Sequence, residues 1–224
     1  MKRAEFFFDF GSPASYLAYT QMDGLAKRAG AEIVWRPMLL GGVFKATGNA
    51  SPANVPAKGK WMNSDLARFA SRYGVAFNHN PFFPVNTLLM MRGAAALEGT
   101  PQFRPYVDAM FKAMWVDQKN MNDLPTAAAT LKAAGFDPQE FLAKAEAQDA
   151  KDRLKATTEE AVARGVFGAP TIFVGDHMFF GQDRLDFVEE ADIPEAAGAR
   201  AWPEAADLAA AIRRHLDDGR RGER

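Results

Sequence analysis

The chain has 224 residues, 48% of them hydrophobic and 25% charged, and 27 Lys and Arg against 28 Asp and Glu leave a formal net charge of −1. That balance suits a globular protein able to bury a full core, as one domain with an insertion or as two small lobes, and it argues against nucleic acid as a partner. The absence of cysteine excludes disulfides, thiolate metal sites and an intrinsic thiol nucleophile, and no apolar stretch approaches the roughly 20 residues of a membrane span.

From about Ala4 the chain enters an apolar, strand-like run, Phe6-Phe-Phe-Asp-Phe-Gly11. So early a first strand leaves no room for a signal peptide, and a cytoplasmic location is expected. Ser12-Pro13-Ala14-Ser15-Tyr16-Leu17-Ala18 follows as a helix start. Ser12 and Ser15 as capping residues, with Pro13 at the first helical position, account for this segment without any function. A hydroxyl beside the unpaired N–H groups of a helix N-terminus also favours an anion, and a small-molecule thiolate is one candidate. Both accounts stand at this point. Residues 31–38, with alternating Ile33 and Trp35, form a second strand, after which the pattern turns helical until about residue 160. Phe103, Tyr106, Val107, Met110, Phe111, Met114 and Trp115 repeat at helical spacing and make one wide apolar stripe. Methionines in such a stripe belong to a core, here one that would hold two lobes together. Two shorter helices are expected at residues 124–134, ended by Gly135, and at residues 137–147, with Pro138 in the first turn.

Arg164-Gly165-Val166-Phe167-Gly168 closes the helical region, and Ala169-Pro170-Thr171-Ile172-Phe173-Val174 follows as a short strand opening on proline. The Ala169-Pro170 bond is a candidate cis peptide, and Ala169 would then expose main-chain N–H and C=O groups able to pair with a peptide in strand fashion. A turn at Gly175-Asp176 leads to a strand over residues 177–180 and a helix opening at Gly181-Gln182-Asp183. Asp183 can serve that helix as a first-turn acid paired with Arg184. His79 and His177 lack metal-ligand spacing with a second His or Cys, so no metal site is assigned. Residues 204–216 have helical period, and residues 217–224 are a charged end. The economical layout is βαβ, a helical insertion and ββα, with residues 1–44 and 161–224 as one split domain around an insertion at residues 45–160.

The segments Phe8 to Ala18, Trp35-Arg36-Pro37, Lys45 to Asn49, Asn80 to Thr87, Gly168 to Thr171 and Phe180 to Arg184 together resemble the 2-hydroxychromene-2-carboxylate isomerases and the related kappa-class glutathione transferases, within the DsbA-like thioredoxin superfamily. The resemblance covers about residues 5–190. It departs at Ala169, where relatives commonly have Val, at Gln182, where kappa-class proteins often have Ser, and in the tail after Asp192. It implies an α/β fold, a thioredoxin-like domain with a large all-helical insertion. Ser12 and Ser15 then occupy the positions of the redox C-x-x-C, and disulfide chemistry at that site is excluded.

The resemblance further implies glutathione as cofactor, with Ser12 at its sulfur, Ala169 and Pro170 along its cysteinyl backbone, and Gln182 and Asp183 at its γ-glutamyl end. Asn49 is implied as a second catalytic residue near the sulfur. Lys60 and Trp61 are candidates for the aromatic substrate, Lys58 and Lys60 being otherwise solvated lysines of a polar loop. The implied reaction is isomerisation in aromatic-compound catabolism: a thiolate adds to a conjugated carbon, a double bond becomes rotatable, and the thiol leaves unchanged. A kappa-like transferase and a non-catalytic module binding thiols or peptides are the alternatives, and a homodimer is expected by resemblance.

Overall fold

The computed structural model of the chain describes residues 2–191. Strand β1 (Lys2–Phe8) leads through a tight turn into helix α1 (Pro13–Ala29), and strand β2 (Ala31–Pro37) returns alongside. Helices α2 (Leu40–Thr47), α3 (Pro56–Tyr73), α4 (Leu88–Leu97), α5 (Phe103–Trp115), α6 (Leu124–Ala133), α7 (Pro138–Glu146) and α8 (Gln148–Ala163) come next. Strands β3 (Thr171–Val174) and β4 (His177–Phe180) then lead into helix α9 (Leu185–Glu190).

The sheet order is β2-β1-β3-β4, with β1 parallel to β2 and antiparallel to β3, so a strand from the start of the chain is central and is paired by one from its far end. A central strand is apolar on both faces, which is why Phe6, Phe7 and Phe8 are all fully buried. Phe6 and Phe8 join the larger core with Leu17, Ile172 and Val188. Phe7 joins Met38, Val43, Ala161, Val166 and Phe173 on the opposite face. The methionine-rich stripe lies in the larger core, with Met110 and Met114 buried. From the same helix Phe111 reaches the rings of Phe8, Phe10, Tyr16 and Tyr19, so α5 is locked against both β1 and α1.

The sequence reading and the structure differ at several boundaries. The first strand starts at Lys2 rather than Ala4, and α6 and α7 end at Ala133 and Glu146, a residue or so earlier than expected. The polar segment holding Lys58 and Lys60 is not a loop. It forms the start of α3, because Pro56 opens the helix, Leu66 and Ala70 bury one face, and Gly74 stops it at φ 66°. The helical region itself begins at Leu40 and runs to Ala163. The helix expected at residues 204–216 lies outside the described residues, and among those no helix is long and apolar enough to cross a membrane.

Candidate functional site

The turn between β1 and α1 has its polar groups satisfied from several directions, and this places Ser12. Within the turn the Ser12 N–H donates to the Asp9 carbonyl at 3.0 Å. The helical region then grips the turn: Trp115 Nε1 donates to the Phe10 carbonyl at 2.8 Å, and the Phe10 N–H lies 3.4 Å from Met91 Sδ. Ser12 is the N-cap of α1, its Oγ accepting from the Ser15 N–H at 3.1 Å, with Pro13 at the first helical positions.

Ser12 does more than cap, because the same oxygen also donates to the Ala169 carbonyl at 2.9 Å, 157 positions away. The Ala169-Pro170 peptide is cis. Among the described residues the Ala169 N–H makes no hydrogen bond, so this half-buried residue offers a donor and an acceptor at the end of β3. Ser15, expected as a cap candidate and at the second C-x-x-C position, is fully buried, and its Oγ has no partner among the described residues.

Three further expected residues flank the loop. Asn49 follows Gly48, which ends α2 in the left-handed region at φ 71°, and its Nδ2 donates to the Phe167 carbonyl at 2.8 Å. Beyond Pro170, whose carbonyl accepts from the Gly181 N–H at 3.0 Å, the chain turns at Gly181 (φ 103°) into a 3₁₀ turn, Gln182–Arg184. A Cβ at Gly181 would collide with the Asp183 carboxylate, which folds back over it. Asp183 is more than a third exposed and pairs with Arg184 at 2.6 Å, as its first-turn account requires. Gln182 is buried, and its carbonyl accepts from the Tyr73 hydroxyl at 2.6 Å. Burial, with Asp186 and Asp183 nearby, pushes the Tyr73 phenol up to about 12, so it remains a donor at neutral pH.

Thus Ser12, Asn49, Ala169, Pro170, Gln182 and Asp183 lie along one connected stretch of main chain and hydrogen bonds. Lys60 and Trp61 are exposed on α3, and no hydrogen bond or ion pair among the described residues ties them to Ser12 or Ala169. A cavity of about 720 Å³ lies elsewhere, between α2, α4 and α8, and none of those six residues lines it.

Asp9 is not among the residues that the sequence pattern singles out. Asp9 is 1% exposed, and its carboxylate accepts from the Gly11 N–H and the Leu40 N–H, each at 2.8 Å, with the Thr87 side chain close by. Burial raises its pKa above the usual carboxylate value, and the hydrogen bonds from the Gly11 and Leu40 N–H groups oppose that shift. A single acid at the end of an apolar run was the only signal available in the sequence.

Comparison with known proteins gives a consistent outcome. Residues 3–191 match the family model described as the DSBA-like thioredoxin domain. The chain is 35% identical over 195 residues to a 2-hydroxychromene-2-carboxylate isomerase of Sphingobium xenophagum, covering 84% of this chain and 96% of that protein. It is 28% identical over 207 residues to the glutathione S-transferase kappa 1 of Caenorhabditis elegans, covering 85% and 90% of the two chains. A solved 2-hydroxychromene-2-carboxylate isomerase superposes with TM-score 0.74 at 32% identity, over 84% of this chain and 93% of that one.

Proposed function

The chain belongs to the 2-hydroxychromene-2-carboxylate isomerases, within the DsbA-like thioredoxin-domain family, and we propose that it is a glutathione-dependent isomerase interconverting such aromatic hydroxy acids with their ring-opened benzylidenepyruvates. The observation that carries the proposal is the Ser12 hydroxyl at a helix N-terminus, hydrogen-bonded to the main chain of Ala169 before a cis proline.

The residues present fit a γ-glutamyl tripeptide. Ala169 offers one N–H and one carbonyl, the pair a peptide needs to add in strand fashion. Asp183 is an exposed carboxylate suited to the ammonium of the γ-glutamyl end, and Gln182 opens the 3₁₀ turn beside it. Ser12, Ala169, Pro170, Gln182 and Asp183 would hold glutathione. When bound, it supplies a thiolate able to add reversibly to a conjugated carbon.

The task of Ser12 follows from hydroxyl chemistry. An Oγ that accepts from the Ser15 N–H still has its own hydrogen to give, and rotation about the C–O bond moves that hydrogen from the Ala169 carbonyl to a sulfur. The cap is kept throughout, and the freed carbonyl can accept from a peptide N–H. A serine here cannot form a mixed disulfide, so the thiol leaves as it came. Asn49 uses one amide hydrogen on Phe167, and its second is available to a developing enolate. Lys60 and Trp61 would meet the acid and the ring of the substrate. The same reading places the protein in the cytoplasm as a homodimer serving aromatic-compound catabolism, and a monomer in light scattering would reject the dimer.

The decisive experiment incubates the protein with 2-hydroxychromene-2-carboxylate, with and without glutathione, and follows equilibration with the benzylidenepyruvate by absorbance. Turnover that requires glutathione and leaves it unconsumed is expected. Equal turnover without it, or release of a stable thioether, would overturn the assignment, the latter in favour of a kappa-like transferase.

A further inference from the structure

Asp9 is a buried acid with no part in the chemistry above, and its two hydrogen-bond donors and its neighbour Thr87 come from three separate segments. Gly11 belongs to the turn that presents Ser12, Leu40 opens α2, and Thr87 is the residue from which α4 starts. A carboxylate accepts both N–H groups at once, one on each oxygen, and none of the neutral side chains of similar size does, since an amide in its place turns an N–H toward an N–H. The Leu40 N–H is the first donor of α2, so this acid also lies at the favourable end of that helix. Gly11 fits because no side chain intervenes: a Cβ there would come within 3.2 Å of Thr87 Cγ2 and 3.3 Å of Asp9 Oδ1.

Followed outward, these contacts close a ring. Asp9 fixes the first turn of α2, and the end of α2 leads to Asn49. Asn49 holds the Phe167 carbonyl, and two residues on the Ala169 carbonyl accepts from Ser12. Ser12 donates its N–H back to the Asp9 carbonyl. We propose that Asp9 is the positioning residue of this site, setting the Ser12 turn and α2 in one register so that Ser12 and Asn49 both meet the loop before Pro170. It touches no reactant and acts through the two residues it aligns. Its catalytic consequence rests on the functional reading above, whereas its positioning of Ser12 does not.

The test compares wild type with Asp9→Asn, Thr87→Val and Leu40→Pro. The last deletes the α2 donor alone, at a first helical position that suits proline, after a Leu39 already extended at φ −89° and ψ 105°. One readout, amide hydrogen exchange of Ser15, needs no ligand, because the Ser15 N–H is protected by the Ser12 Oγ. The other is the split between kcat and the KM for glutathione. Asp9→Asn should exchange faster at Ser15 and lose on the order of 10²-fold in kcat, the size of an ångström-scale misplacement, with a much smaller change in KM. Thr87→Val and Leu40→Pro should each do the same to a smaller degree, and they decide the matter if Asp9→Asn does not fold. If wild type turns over without glutathione, the functional reading fails and Ser15 exchange alone judges Asp9. Unchanged Ser15 protection in the folded variants overturns the proposal, as does a loss confined to KM.

Discussion

Ser12 and Ser15 are hydroxyls three residues apart on one helix turn, and the structure gives them opposite expected outcomes. Ser12 Oγ makes a cap bond from the Ser15 N–H and a bond to the Ala169 carbonyl. Losing the cap costs about 1 kcal/mol, and losing the second bond costs about 0.5–1.5 kcal/mol. Ser12→Ala should therefore be destabilised by about 2 kcal/mol, a fall in Tm of roughly 4–8 °C for a chain of this size. Turnover should fall far further, by about 10²–10³, the loss typical of one well-placed donor to developing charge. Ser15 Oγ is fully buried with no partner among the described residues, so its removal lifts a desolvation cost and leaves a better helix former. Ser15→Ala should hold or raise Tm and keep activity near that of wild type. Differential scanning calorimetry and the absorbance assay on both variants suffice. An inactive Ser15→Ala beside an active Ser12→Ala would show that the catalytic hydroxyl had been misassigned.

Asp183→Asn keeps the shape over Gly181 but removes the charge, and glutathione affinity measured by calorimetry should weaken by about 1–2 kcal/mol, with the saturated rate less affected; unchanged affinity would leave Asp183 as only the partner of Arg184. Gly93→Ala should cost about 1–3 kcal/mol or more in urea unfolding, because a Cβ there would run into the Phe141 ring and lie 2.8 Å from the Tyr106 hydroxyl. Full stability in this variant would contradict the close packing of α4 against α7. The pH dependence at Asp9 has a definite sign. Its pKa is raised in the folded state by burial, so its contribution is fully present below the unfolded value near 3.8 and is lost as pH rises through the folded value. The stability difference between wild type and Asp9→Asn should accordingly shift against wild type as pH is raised from about 3 toward neutrality, and denaturant midpoints at several pH values that show the reverse trend would refute it.

Much of the fold was legible because its signals are local. Pro13 behind a serine, a β-branched run after Pro170, and an apolar stripe from Phe103 to Trp115 each act within a few residues, and the elements stand where those signals put them. The start of α3 was hidden, since Lys58, Gly59 and Lys60 carry no apolar period and the burying residues Leu66 and Ala70 come later. The cis Phe83-Pro84 bond gave no comparable signal. In the candidate site, Ser12 and the Ala169-Pro170 pair announce themselves by type and position. Asp9 does not, since its role depends on Leu40 and Thr87, which only the fold brings to it. Likewise, nothing local to Ser15 says that its hydroxyl has no partner among the described residues.

The central strand β1 has its parallel partner β2 within the first 37 residues, but its other partner, β3, begins only at Thr171. On a ribosome the β1-α1-β2 unit is complete long before the residues that finish the sheet have been made. The Ser12 to Ala169 bond closes a loop of 157 positions, and closure of a flexible loop of that length costs roughly 4–5 kcal/mol in chain entropy, a cost reduced when α3 to α8 have already drawn the ends together. A nascent chain that has released Ser12 but not yet Ala169 thus carries the serine without the carbonyl it donates to. The Ser12 hydroxyl therefore meets its Ala169 partner only once the last strands are made, which puts this contact among the late ones to form on the ribosome.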